Sequence, residues 1–245
     1  MGLREEFEKS GVWLFRWRSY LPLVMIGVFS LALKRFHYPG HNHPLDQLWE
    51  IISLAVSCIG LGIRIYTVGT VPKGTSGRNI KAQQADSFNT NGMYSIVRHP
   101  LYLGNFLIWF GIVLSIRSWW LLFTSGLIFW LYYERIMFAE EEYLRRKFGE
   151  AFLKWSEKTP AFFPRFKNWR PPGRPFSLAA GLGSEYSGFF AMIACFTTLD
   201  IVEELYVSGR FRVETFWLYL FIFSLISYLV LRFLKKKTKF LNKAD

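Results

Sequence analysis

The chain has 245 residues, of which 51% are hydrophobic and 19% aromatic, and its formal charge is +12. With a mean hydropathy of +0.18 it is too apolar for an ordinary soluble domain. The charge raises nucleic acid as a partner. However, Lys and Arg cluster just outside apolar runs, which suits the positive-inside rule and anionic lipid better than a phosphate-tracking groove. A lipid bilayer is therefore the expected partner; nucleic acid is not expected, and no obligate protein partner is inferred. Cys58 and Cys195 lie within apolar runs, so neither a disulfide framework nor a thiolate metal site is indicated, and no metal is expected. The polar start Met1–Ser10 and the absence of a small-residue cleavage site after the first run predict no cleavable signal peptide.

Six apolar segments predict an all-α, polytopic transmembrane protein with both termini in the cytosol. The first spans about Val12–Leu33, with Arg16 and Arg18 at its start and Trp13 and Trp17 as interfacial anchors. A polar loop with His37, His41 and His43 follows; Asn42 and Pro44 deny the last two a helical ligand face. The second run, about Leu48–Val68, is long enough to cross roughly 30 Å of hydrocarbon. Arg64 lies near its end, placed either to snorkel to the interface or to meet a lipid headgroup. The loop from Gly69 to Asn91 contains Gly74-Thr75-Ser76-Gly77-Arg78-Asn79, which is not a Walker A loop but presents hydroxyls and a guanidinium to a phosphate.

Leu101–Ile116 and Trp119–Tyr133, separated by Arg117 and Ser118, are each about 24 Å long as helices and predict a tight hairpin. Gly104 and Gly111 are expected to let its two helices approach closely. Glu134–Phe148 reads as an amphipathic helix with i,i+4 pairs Glu141–Arg145 and Glu142–Arg146, which leaves Glu142 on a solvated face. Glu140 differs, because its neighbours one turn away are Ile136 and Leu144. A carboxylate on that apolar stripe requires a distant partner or a ligand. The stretch after it is rich in Trp, Phe, Lys and Arg and reads as interfacial. Glu134–Arg174 carries ten Lys or Arg against six Glu, which places it in the cytosol. Runs at about Ser187–Val207 and Glu214–Leu234 complete the set, with Asp200, Glu203 and Glu204 expected at an outer helix end.

Asn91–Gly104 is the stretch around which the chain is organised. Pro100 suits the first position of a helix and pushes Arg98 and His99 into an extended conformation just outside it. An arginine, an imidazole and a helix N-terminus can form a site for an anionic group, or the arginine can simply anchor a helix end.

Gly92-x-Tyr94-x3-Arg98-His99-Pro100-x-Tyr102-x-Gly104, followed by Glu140-Glu141-x2-Leu144-x3-Phe148-Gly149 and then Pro160 and Pro164, resembles the isoprenylcysteine carboxyl methyltransferase and phospholipid methyltransferase family. The resemblance covers about Asn89–Pro164. Phe152 and Trp155 stand where that family usually has tyrosines. The resemblance implies an integral-membrane enzyme using S-adenosylmethionine without a Rossmann domain. It implies that Tyr94, His99, Pro100, Tyr102, Glu140 and Glu141 bind the cofactor and that Arg98 lies near the reacting centre, which makes Arg98 and Glu141 the candidate catalytic residues.

The expected organisation is residues 1–88 as N-terminal helices and loop, 89–166 as the cofactor core, and 167–245 as a C-terminal helix pair with a basic tail. The chain shows no obvious general base, which favours an already anionic acceptor. Arg64, Arg78, Asn79 and Arg98 suit a phosphate on a lipid. The loop and the extra helix pair look like the bacterial branch that includes lipid A phosphate methyltransferases, which implies a site on the cytosolic face of the inner membrane. Carboxyl methylation of isoprenylcysteine, N-methylation of a phospholipid amine, and an NADPH-dependent sterol-type reductase are the alternatives.

Overall fold

The computed structural model describes residues 2–17, 27–29, 43–72, 75 and 88–237. Among these the regular structure is helical. The main helices are α1 (Leu3–Trp17), α2 (His43–Gly69), α3 (Pro100–Ser115), α4 (Trp119–Phe148), α5 (Glu150–Lys158), α6 (Leu178–Ser208) and α7 (Thr215–Lys237).

Local chemistry sets the ends of these helices. His99, with φ −121° and ψ 63°, is the non-helical residue before Pro100, which fills the first helical position of α3. Gly149 at φ 54° stops α4 and lets α5 begin in a new direction. The Ser177 side chain accepts the Ala180 N–H at 3.3 Å and caps α6. Arg117 joins α3 to α4 at φ 57°, a conformation that costs a non-glycine residue about 1–2 kcal/mol.

Two helices among the described residues are long and apolar enough to cross a membrane: Gln47–Gly69 within α2, and α7, each with a mean hydropathy of 1.9. This supports an integral membrane protein with fewer clear spans than the six apolar runs predict. The first run lies mostly outside the described residues, α3 has 16 residues, and α6 carries Glu185, Asp200, Glu203 and Glu204. The predicted short run Trp119–Tyr133 and the amphipathic segment after it are one continuous helix of 30 residues, because no breaker separates Tyr133 from Glu134.

The bundle is organised by α2, which packs along α3 and against α6. Gly60 and Gly104 let α2 and α3 touch: a Cβ at Gly60 would lie 2.5 Å from the Gly104 carbonyl oxygen. Gly111 faces Ser53 and Ser57 of α2. The two glycines thus serve the α2–α3 contact and not the predicted approach of α3 to α4. Gly181 of α6 sits against Ile65, and Phe196 of α6 stacks on Trp217 of α7 with ring centroids 5.2 Å apart. A second core joins Phe15 of α1 to Tyr102, Tyr133, Ile136, Met137 and Phe162.

Asp200 and Glu203 turn inward instead of ending a helix in water. Asp200 accepts the Glu214 N–H at 3.1 Å, and Glu203 lies 3.8 Å from Arg117, which also faces Glu50 at 3.9 Å. Unpaired, these carboxylates would be costly to bury, and their partners come from two other parts of the chain, the start of α7 and the α3–α4 turn.

A side chain at Gly111 would collide with the Ser53 carbonyl and the Ser57 hydroxyl of α2. Gly111→Ala is expected to destabilise the fold by about 1–3 kcal/mol, read as a lower thermal midpoint in detergent.

Candidate functional site

The site begins at an irregular segment that is pinned before α3 starts. Gly92, at φ 60°, donates its N–H to the Arg170 carbonyl at 3.0 Å. Ser95 Oγ donates to the Gly92 carbonyl and accepts the Arg170 N–H. The next residues then run alongside the segment after α5. Arg98 N–H donates to the Pro160 carbonyl at 2.9 Å, His99 N–H to Ala161 at 3.2 Å, and Arg165 N–H to Ile96 at 2.9 Å. This pairing satisfies backbone groups that no helix covers and fixes the entry to Pro100. It also explains why prolines at 160 and 164 accompany the Arg-His-Pro stretch: they keep the partner segment extended.

α4 brings the acids. His99 Nε2 is 2.8 Å from Glu141 Oε1, and Arg98 Nε is 3.1 Å from the same oxygen. Tyr102 Oη donates to Glu140 Oε2 at 2.9 Å, and His99 Nδ1 lies 3.7 Å from that oxygen. Consecutive helical residues diverge by about 100°. The imidazole sits between the two and meets a carboxylate with each nitrogen. Tyr102 stacks on His99 at 5.5 Å and packs on Tyr133 at 5.0 Å. The His99 side chain is 5% exposed, whereas Glu140, Glu141 and Arg98 keep between 18% and 25% of theirs. The imidazole is therefore buried, and the charged groups around it keep part of their surface exposed.

The electrostatics follow from these contacts. Burial opposes ionisation of Glu141, but the His99 hydrogen bond and the charges of His99 and Arg98 outweigh it and hold the carboxyl below its ordinary value. Burial pushes the Tyr94 phenol upward, the Glu140 charge adds to the effect and Arg64 opposes it, so Tyr94 remains a protonated donor at neutral pH. On its other side Arg98 donates through Nη1 to the Ser156 carbonyl at 3.2 Å. There it lines an open cavity of about 460 Å³ with Lys158, Thr159, Phe163 and Arg165.

The structure thus brings together Arg98, His99, Tyr102, Glu140 and Glu141, with Tyr94 close enough to feel both Glu140 and Arg64. Pro100 contributes by starting the helix. Arg78 and Asn79 lie outside the described residues. Arg64 adjoins the site, held by Glu185 of α6 and Asn105 of α3.

Two expected helix-surface pairs are replaced. Glu141 pairs with Arg98 and His99 instead of Arg145, because a partly buried partner outweighs an exposed one. Glu142 is 7% exposed, not solvated; it takes Arg4 of α1 and Arg145, while Arg146 pairs with Glu8. The sequence reading overlooked Glu185, Asn105 and Tyr133. Glu185 carried a signal, a carboxylate just before an apolar run, but its partner is 121 residues away.

Residues 50–151 match the family model described as phospholipid methyltransferase. The chain is 32% identical over 155 residues to a nickel-cobalt-cadmium resistance protein of Alcaligenes xylosoxydans xylosoxydans, covering 63% of this chain and 65% of that one. It is 33% identical over 146 residues to a cobalt-zinc-cadmium resistance protein of Cupriavidus metallidurans, covering 60% and 63%. It is 27% identical over 151 residues to protein-S-isoprenylcysteine O-methyltransferase B of Arabidopsis thaliana, covering 60% and 74%. The chain spans a little under two thirds of the length of the two metal-resistance relatives. No solved structure matches. These similarities support the family of phospholipid and isoprenylcysteine methyltransferases, and the Arg-His-Pro and Glu-Glu motifs both fall within the matched stretch.

Because the Glu141 carboxyl is depressed on folding, its contribution to stability is complete above the ordinary carboxyl value of 4.5 and is lost as pH falls through the lower folded value. Thermal midpoints followed from about pH 7 to about pH 3 are expected to fall less steeply on the acid side in Glu141→Gln than in the wild type.

Proposed function

We propose that this chain is an S-adenosylmethionine-dependent methyltransferase of the membrane that O-methylates an anionic group on a lipidic acceptor. The observation that carries the reading is the convergence of His99, Arg98 and Tyr102 on the adjacent carboxylates Glu140 and Glu141. The residues fit the cofactor by their donor set. Partly exposed carboxylates beside aromatic rings suit ribose hydroxyls and an amino group, while the N-terminus of α3 suits a carboxylate. When bound, S-adenosylmethionine supplies a methyl group on a sulfonium, and an anionic acceptor requires no general base to receive it.

In this reading the chain's own groups do three things. Glu140 is oriented by the Tyr102 hydroxyl toward the ligand. Glu141 is held by His99 and Arg98 and fixes the distance between α3 and α4. Tyr94, Tyr102 and Tyr133 surround the reacting space with rings that exclude water, and positioning in such a site supplies much of the rate. Arg98, facing both Glu141 and the adjoining cavity, is the group assigned to the acceptor.

A lipid A phosphate at the cytosolic face of the bacterial inner membrane is the first acceptor considered, on the strength of the arginines and the additional helix pair. Isoprenylcysteine carboxylate is the second, favoured by the similarity to the plant O-methyltransferases.

Purified protein with methyl-labelled S-adenosylmethionine and a bacterial total lipid extract is expected to yield a labelled phosphate ester, located by mass spectrometry. Label confined to prenylated cysteine peptides would replace the first acceptor with the second. Tight NADPH binding with none for S-adenosylmethionine would end the methyltransferase reading. Glu140→Gln is expected to weaken S-adenosylmethionine binding by about 10- to 100-fold, the range for losing a hydrogen bond to a charged group.

A further inference from the structure

The Arg64–Glu185 pair is built more fully than a snorkelling arginine would need. Arg64 Nε and Nη2 donate to the two oxygens of Glu185 at 2.9 and 3.0 Å, a fork-to-fork arrangement. Nη1 donates to Asn105 Oδ1 at 2.5 Å and lies 3.4 Å from the Leu101 carbonyl. The Glu185 side chain is 2% exposed and that of Arg64 is 15% exposed. Gly104 makes room for the arginine: a Cβ there would lie 2.5 Å from Arg64 Cγ. Gly181, one turn before Glu185, lets α6 lie directly on Ile65 beside it. Two glycines on two helices thus accommodate one guanidinium and its carboxylate.

The pair is also wired to the cofactor residues. Asn105 Nδ2 donates to Tyr133 Oη at 3.0 Å, the Tyr133 ring packs on Tyr102 at 5.0 Å, and Tyr102 Oη donates to Glu140. Tyr94 is close enough to both Glu140 and Arg64 to feel their charges. Arg64 stands five residues before the end of α2, about 8 Å below that helix end, where a free ion would be expensive. Glu185 removes that cost and also removes the freedom of the guanidinium. With these contacts made, an Nη2 N–H is left on the fork for a further acceptor.

We infer that Glu185 is a positioning residue: it holds Arg64 as a fixed donor to the anionic group of the lipidic acceptor, so that α2 and α6 form the acceptor side of the site and α3 and α4 the cofactor side. The inference rests on the methyltransferase reading and extends it to a helix beyond the matched stretch 50–151.

The test is Glu185→Gln in the full chain. It is assayed for S-adenosylmethionine affinity by calorimetry and for methyl transfer to the bacterial lipid extract over a range of lipid concentrations. Cofactor affinity is expected to stay within about threefold, while the apparent KM for lipid rises by about 10- to 100-fold with kcat little changed. Wild-type kinetics, or lost cofactor affinity, would overturn the assignment. Should the variant fail to fold, the swap Arg64→Glu with Glu185→Arg decides: restored folding without methyl transfer supports the inference, and restored transfer makes the pair purely structural. Failure of the wild type to bind S-adenosylmethionine would instead defeat the underlying reading.

Discussion

One carboxylate, Glu141, holds two helices in register. It reaches from α4 to an imidazole and a guanidinium that sit just outside the start of α3. Arg98 and His99 are available there only because Pro100 starts the helix after them and the 160–165 segment holds their backbone extended. The cost of burying the charges is offset because each is matched across the gap. Removing Glu141 would leave Arg98 and His99 partly desolvated without their shared partner; for a fully buried pair that loss is about 3–5 kcal/mol. The second acid, Glu140, inherits its position from the first and is steadied by Tyr102, so its place depends on the Glu141 contact as well.

The same rule operates at the opposite end of the α2–α3 pair. α3 is 16 residues long, so Arg117 lies about 24 Å from Pro100. There it faces Glu50 and Glu203, while Trp217 donates to Glu50 at 2.9 Å. Charges inside the bundle gather at its two ends, and the middle of the α2–α3 contact is made by glycines and serines. Partly exposed charges occur at the His99 end, where backbone from the extended segment and from α5 leaves a cavity beside Arg98. A cavity of about 330 Å³ also lies beside Arg117, so what sets the His99 end apart is that Arg98, Glu140 and Glu141 keep 18–25% of their side chains exposed, against 9–11% for Arg117, Glu50 and Glu203.

Much of this was legible in the sequence because the signals are local. Pro100 marks the start of α3, Gly149 the end of α4, and Glu140 announces a distant partner by standing on an apolar stripe. What was hidden depends on competition between partners. Arg145 is the natural i,i+4 mate of Glu141, yet a partly buried imidazole and guanidinium offer more than an exposed arginine does. The spacing of Gly104 and Gly111 announces a close helix contact without saying which helix; α2 takes it because Ser53, Ser57 and Gly60 are small enough to match. Glu185 and Arg64 meet across 121 residues, and no local pattern reports such a pairing.

The central claim is that the start of α3 and the acid pair of α4 are two halves of one cofactor seat. Hydrogen–deuterium exchange with and without S-adenosylmethionine measures this without knowledge of the acceptor. The account predicts that the cofactor slows exchange in residues 92–104 and 137–145 together and leaves the Arg117 end unchanged. Protection of one segment without the other, or protection centred on Arg117, would contradict it.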